Sequence, residues 1–187
     1  MEIDAKGLSR NDWYKAALVL PKFDAVRNFF KKGERRFFML GELVTPEMVQ
    51  LTDRKMNWKE AIRFAAQPLK NFGFIESRYI DAMIEEVEQY GAFIHIGKGI
   101  AMPHARPEDG ALKVGISILK VANPVLLLGQ KEHAVTFFIC LSAIDDTTHL
   151  KVLAELATFL SDEPSLNRLL AAKSKDEIIS LLSRGGD

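Results

Sequence analysis

The sequence predicts an α/β fold: a mixed β-sheet of about five strands flanked by helices as an α/β sandwich, preceded by a short N-terminal extension. Two observations carry that prediction. A central block of short, apolar, β-branched segments lies at 93–96, 114–119, 125–128 and 135–141, separated by Gly, Pro, Asn and charged turns. Segments with helical spacing and cap residues precede and follow this block.

Taken in order, the first element is a short helix from Asn11 as N-cap to Leu20, stopped by Pro21 and followed by the basic-aromatic run Phe29 to Phe38. Thr45-Pro46 places proline at a first helical position and predicts a short helix to about Leu51. Asn57 and Glu60 form a capping-box pair, and Trp58, Ile62, Ala65, Ala66 and Leu69 then recur on one face until Gly73. A second helix spans about Ser77 to Gln89, with Tyr79, Ile80, Met83, Ile84 and Val87 on its apolar face and Gly91 as its stop. After the strands, Asp146-Thr-Thr opens a helix to about Leu160, Pro164 opens another to Ala172, and Ser174 to Glu177 caps a last one ending at Ser183. The segment from Gly97 to Gly110, with glycines at 97, 99 and 110 and prolines on both sides of a histidine, reads as a fixed loop.

Composition narrows the class. With 187 residues, 48% hydrophobic and 27% charged, the chain has the mixture of one soluble globular domain. Lys plus Arg and Asp plus Glu each number 25, so the whole protein has no field that would gather nucleic acid or anionic lipid. That neutrality is a cancellation. Residues 1–40 hold nine basic against five acidic residues, net +4, and residues 41–187 hold sixteen against twenty, net −4. So short a basic run reads as a solvated arm or a packed-on extension before it reads as a nucleic-acid or membrane contact. The longest nearly apolar stretch, Phe137 to Ile144, is about half of what a spanning helix needs, so no direct membrane insertion is expected. No stretch of signal-peptide character opens the chain, and Cys140 has no partner for a disulfide, so the expected compartment is the cytoplasm. Within its apolar segment Cys140 reads as a small buried hydrophobe.

Two of the four histidines invite a functional reading. His104 stands between Pro103 and Pro107, which stiffen the backbone, and Arg106 two residues on can grip an oxyanion. Residue types alone leave His104 open between a working imidazole and a satisfied structural one. His149 follows the last strand and enters the first turn of a helix, where free N–H groups and the positive dipole end suit an anion. A surface histidine would look the same. His95 in a strand and His133 in a charged turn read as structural or exposed. No His-Glu-x-x-His, paired cysteines, P-loop or dinucleotide fingerprint is present, so no metal and no nucleotide cofactor is expected.

At this point the sequence resembles a known family. The run Gly99-Ile-Ala-Met-Pro-His-Ala-Arg-Pro-Glu-Asp-Gly110, then Gly115-Ile-Ser, Leu141-Ser-Ala-Ile-Asp-Asp-Thr-Thr-His149-Leu and Leu160-Ser-Asp resemble enzyme IIA components of the bacterial phosphoenolpyruvate-dependent sugar phosphotransferase system. The likeness is to the mannitol/fructose type, with the Pro-His-Ala-Arg-Pro-Glu-Asp form similar to its ascorbate-type branch, and it covers residues 45–184. Residues 1–40 lie outside it and stand as a basic extension of unknown role, and the likeness implies an EIIA type-2 domain over 41–187. It further implies a phosphotransferase in which His104 accepts a phosphoryl group from the phosphohistidine of HPr and yields it to a cysteine of enzyme IIB, and through that to membrane enzyme IIC. His149 matches the second site histidine. The mannitol type has Gly where this chain has Ala105, and an arginine near the position of Glu86, so Arg106 is the expected phosphoryl-stabilising cation. A rival reading within the same resemblance is a regulatory module whose phosphorylation state controls a transcription factor or a kinase.

Overall fold

The computed structural model describes residues 38–184. The expected helix from Asn11 to Leu20 and nearly all of the basic-aromatic run lie outside the described residues.

Among the described residues, helix α1 (Phe38–Leu43) leads to strand β1 (Val49–Thr52), then helices α2 (Trp58–Asn71) and α3 (Ser77–Tyr90). Strands β2 (His95–Gly97), β3 (Ile100–Ala101), β4 (Gly115–Leu126) and β5 (Ala134–Ser142) follow, and helices α4 (Asp146–Ser161), α5 (Glu163–Ala171) and α6 (Lys175–Arg184) close the fold. The sheet order is β1-β4-β5-β3-β2. It is mixed: β1 with β4 and β3 with β5 are parallel, while β4 with β5 and β2 with β3 are antiparallel.

Alternation along the two long strands sends side chains to opposite faces and builds two cores. On one face Leu119, Val121, Phe138 and Cys140 pack under α2 and α3, which contribute Ile62, Ala65, Leu69, Tyr79, Met83 and Val87. On the other, Ile116, Ile118, Phe137, Ile139 and Leu141 pack under Leu40 of α1 and Val152, Phe159, Leu169 and Ile178 of the C-terminal helices. The predicted sandwich is therefore three layers, with helices on both faces. Cys140 is fully buried, and burial pushes its thiol well above the usual range, so it serves as a core residue.

Helix starts follow the expected cap chemistry. The Asn57 side chain accepts from the Glu60 N–H at 3.0 Å and the Glu60 carboxylate accepts from the Asn57 N–H at 2.8 Å, the full capping box. Asp162 accepts from the Ser165 N–H at 3.0 Å at the head of α5, and the Ser174 hydroxyl from the Glu177 N–H at 3.2 Å at the head of α6.

Three expectations are corrected. The helix expected from Pro46 to Leu51 is only a 3-10 turn over Pro46–Met48, after which Val49–Thr52 pairs in parallel with Ile118–Val121 of β4. Val49, Leu51 and Thr52, apolar or β-branched, gain more from a ladder with a distant strand than from one further helical turn. The strands expected at 114–119 and 125–128 merge into one strand ending at Leu126, continuous through Asn123 and Pro124, with its register against β5 shifting between Lys120 and Val125, and Leu127 and Leu128 fall in a 3-10 turn. That irregularity is where a sheet tolerates proline. The loop expected from Gly97 to Gly110 contains β3, two residues held between β5 and β2, and a 3-10 turn at Pro107–Asp109.

Gly115 shows how closely α2 sits on the sheet. A β-carbon there would stand 2.5 Å from Phe74 Cδ1 and 2.9 Å from Leu69 Cδ2. Gly115→Ala is expected to destabilise the fold by about 1–3 kcal/mol through overpacking. Urea denaturation of the two proteins checks this, and an unchanged midpoint would contradict the packing described.

Candidate active site

The site lies where the parallel strands β3 and β5 both end. From β3 the chain runs through Met102 and Pro103 to His104; from β5 it turns at Ala143 to Asp145 into α4. Ligands in α/β sheets gather beyond such carboxyl ends. Asp145 caps α4, accepting from the Thr148 N–H and from the Thr148 hydroxyl, each at 2.8 Å, and those bonds hold its carboxyl below the usual range. The His149 N–H then makes its helical bond to the Asp145 carbonyl at 3.0 Å, which fixes the imidazole one turn inside the helix.

The structure brings His104 and His149 together. Their ring centroids are 5.3 Å apart at 66°, and both residues are buried, at 3% and 4% exposure. Phe93 presents a T-shaped contact to His104 at 6.3 Å. Nδ1 of His104 lies 2.9 Å from the Met102 carbonyl oxygen. A carbonyl only accepts, so Nδ1 carries the proton, and the neutral ring holds its lone pair on Nε2.

Burial lowers both imidazoles from their ordinary range. For His104, burial outweighs the opposing effect of the Met102 carbonyl. His149 is pushed down to about 3, first by burial and then by His104. The unfolded chain binds protons near pH ~6.5 that the folded chain refuses, so stability is complete above that value and falls as pH drops toward 3. Between pH ~6.5 and ~5, above the usual carboxylate range, denaturation midpoints are expected to decline. His149→Gln should flatten the slope, and a flat wild-type profile over that window would contradict the buried neutral pair.

Arg106 opens the 3-10 turn at Pro107–Asp109, its backbone N–H donating to Asp109 Oδ2 at 3.2 Å. Its guanidinium stands 3.5 Å from Glu108 through Nη1, while Nε and Nη2 are buried and make no hydrogen bond. Buried donors without an acceptor suit an anion. His95 and His133, read as structural or exposed, face each other instead, Nδ1 to Nδ1 at 3.0 Å. Sequence reasoning treated Tyr79 as a core residue and missed its hydroxyl, which contacts Ala105, the residue after His104. The available signal was a lone polar tip on an otherwise aliphatic helix face, which must find a partner.

The sequence profile described as "Phosphoenolpyruvate-dependent sugar phosphotransferase system, EIIA 2" matches residues 42–185. The chain belongs to this family. It is thus an EIIA component of a sugar phosphotransferase system. The ascorbate-specific EIIA component of Escherichia coli strain K12 is 30% identical over 143 residues, spanning 76% of this chain and 93% of that protein. Among solved structures, the mannitol-specific cryptic enzyme IIA of Escherichia coli aligns with a TM-score of 0.71 at 32% identity, covering 77% of this chain and 97% of that one. A mannitol enzyme IIA of Escherichia coli, solved in complex with phosphorylated enzyme IIB, aligns with a TM-score of 0.63 at 28% identity, covering 73% and 94%. No described helix of this EIIA chain is long and apolar enough to cross a membrane.

Proposed function

We propose that this EIIA chain is the phosphoryl carrier of an ascorbate-type uptake system, accepting the group from phospho-HPr on His104 and passing it to a cysteine of enzyme IIB. The observation that carries this reading is the Nδ1–H bond of His104 to Met102, which leaves the lone pair on Nε2 of a ring whose centroid is 5.3 Å from that of His149. In the first step Nε2 attacks phosphorus as the P–N bond to the HPr imidazole breaks, and that imidazole keeps the bonding pair. In the second, a thiolate of enzyme IIB attacks the same phosphorus and the Nε2–P bond breaks. Both steps pass through loose transition states and ask mainly for positioning and for donors to the equatorial oxygens. His149 supplies a second imidazole, which binds a proton more readily once a phosphoryl dianion is beside it. The unbonded Arg106 Nε and Nη2 supply cationic donors. No metal or nucleotide is needed when the donor is already a phosphohistidine.

Partners must dock and leave. Ile144 and Leu150, on either side of His149 in the chain, are 52% and 64% exposed and give the site an apolar rim. That suits a brief contact at the small end of interface sizes, below about 1,200 Å². The net −4 of residues 41–187 adds attraction for a basic carrier. A cytoplasmic location follows from those partners, and residues 1–40 remain a separate extension in this reading.

Labelled phosphoenolpyruvate with purified enzyme I and HPr tests acceptance, and added enzyme IIB tests onward transfer. Label that moves on to enzyme IIB supports uptake. Label retained on the chain in the presence of a competent enzyme IIB would favour a regulator of a transcription factor or kinase, and no label at all would refute the proposal.

A further inference from the structure

Strand β3 pairs with β5 in parallel, Ile100 opposite Phe137 and Ala101 opposite Phe138. Continuing that register sets His104 opposite Leu141. A parallel ladder there would have the Leu141 N–H bond the Pro103 carbonyl and the Ala105 N–H bond the Leu141 carbonyl. The first bond is present, at 3.1 Å. The second is interrupted. The Ala105 N–H donates instead to the Tyr79 hydroxyl oxygen at 3.1 Å, and that oxygen lies 3.0 Å from the Leu141 carbonyl and 2.9 Å from the Ala105 carbonyl.

We propose that Tyr79 is a positioning residue for His104, its hydroxyl inserted into the β3–β5 ladder at the His104 rung so that the histidine backbone stands off β5 by two hydrogen bonds rather than one. Tyr79 is 1% exposed and seated among Ile80, Met83 and Val87 of α3, so the wedge is held by the core and not by the loop it props. One hydroxyl proton serves two carbonyls, so it donates to one of them at a time while accepting from the Ala105 N–H. Burial holds the hydroxyl well above the usual phenol range, which keeps that proton in place across working pH. Because Pro103 blocks donation from its own nitrogen, the Leu141 N–H to Pro103 bond and the Tyr79 relay bracket His104 on both sides. Without the hydroxyl, the Ala105 N–H and Leu141 carbonyl either stay buried and unsatisfied or close directly on one another, drawing His104 toward β5.

This inference rests on His104 as the reacting group, and Tyr79→Phe tests it by removing one oxygen and keeping the ring. Expected are a displaced Ala105 amide resonance, displaced His104 imidazole resonances and a single-turnover phosphorylation rate about tenfold lower or less, since small misplacements are costly. KM for phospho-HPr should stay within about twofold, because the docking rim is untouched. In the wild-type protein the Tyr79 hydroxyl proton should exchange slowly with water and show a cross-peak to the Ala105 amide, which keeps the test decisive if the variant folds poorly. A fast-exchanging hydroxyl, or a folded Tyr79→Phe protein with unchanged His104 resonances and rate, would overturn the inference. Label found on a residue other than His104 would instead refute the phosphoryl reading, and the resonance shifts distinguish the two failures.

Discussion

His104→Ala is expected to leave the chain unlabelled when it is incubated with phosphoenolpyruvate, enzyme I and HPr. The loss should be complete rather than partial, because the substitution removes the atom to which phosphorus bonds and the surroundings offer no substitute nucleophile. Cys140 is fully buried with its thiol held protonated, and His149 is itself buried, at 4% exposure. The substitution also leaves the Met102 carbonyl without the Nδ1–H donor, at a cost of about 1–3 kcal/mol in stability. A melting curve separates that effect from lost chemistry: a folded, unlabelled His104→Ala protein is the expected result.

His149→Ala carries the second-largest effect. Removing one preorganised group that meets developing charge typically costs about 10²–10³ in rate, so acceptance from phospho-HPr should slow by that factor while labelling at long times remains. His149→Gln keeps a hydrogen-bond donor near the same place and should recover part of the loss. A purely structural His149 would behave differently. Its alanine variant would melt earlier, yet the folded fraction would react at the wild-type rate. The two imidazoles at 5.3 Å, each buried and neutral, are the reason to expect the kinetic outcome.

Local signals made most helices legible. The Asn57–Glu60 box and Ser174 each act on backbone N–H groups three residues on, so the sequence window contains the whole interaction, whereas Asp145 and Asp162 cap just before the starts expected at Asp146 and Pro164. Strand β1 was not legible, because what makes Val49–Thr52 a strand is its pairing with Ile118–Val121. The same reason hid β3, which is two residues long and exists by lying between β5 and β2. At the site, His104, Arg106 and His149 stand out through their neighbours: prolines, glycines and a helix start. Tyr79 does not, since its role depends on the register of β3 against β5 and on where α3 crosses them. The tautomer of His104 was equally hidden, because the Met102 carbonyl that sets it turns inward only in the folded loop.

Under the proposed function the reacting atom is Nε2 of His104. Heteronuclear NMR of the imidazole nitrogens, recorded before and after phosphorylation by phospho-HPr, tests it most directly. The expected result is an unphosphorylated ring protonated on Nδ1, with the new phosphorus coupling appearing at Nε2 of His104 and the His149 ring shifting in response. Coupling at Nδ1 of His104, or on any other residue, would contradict it.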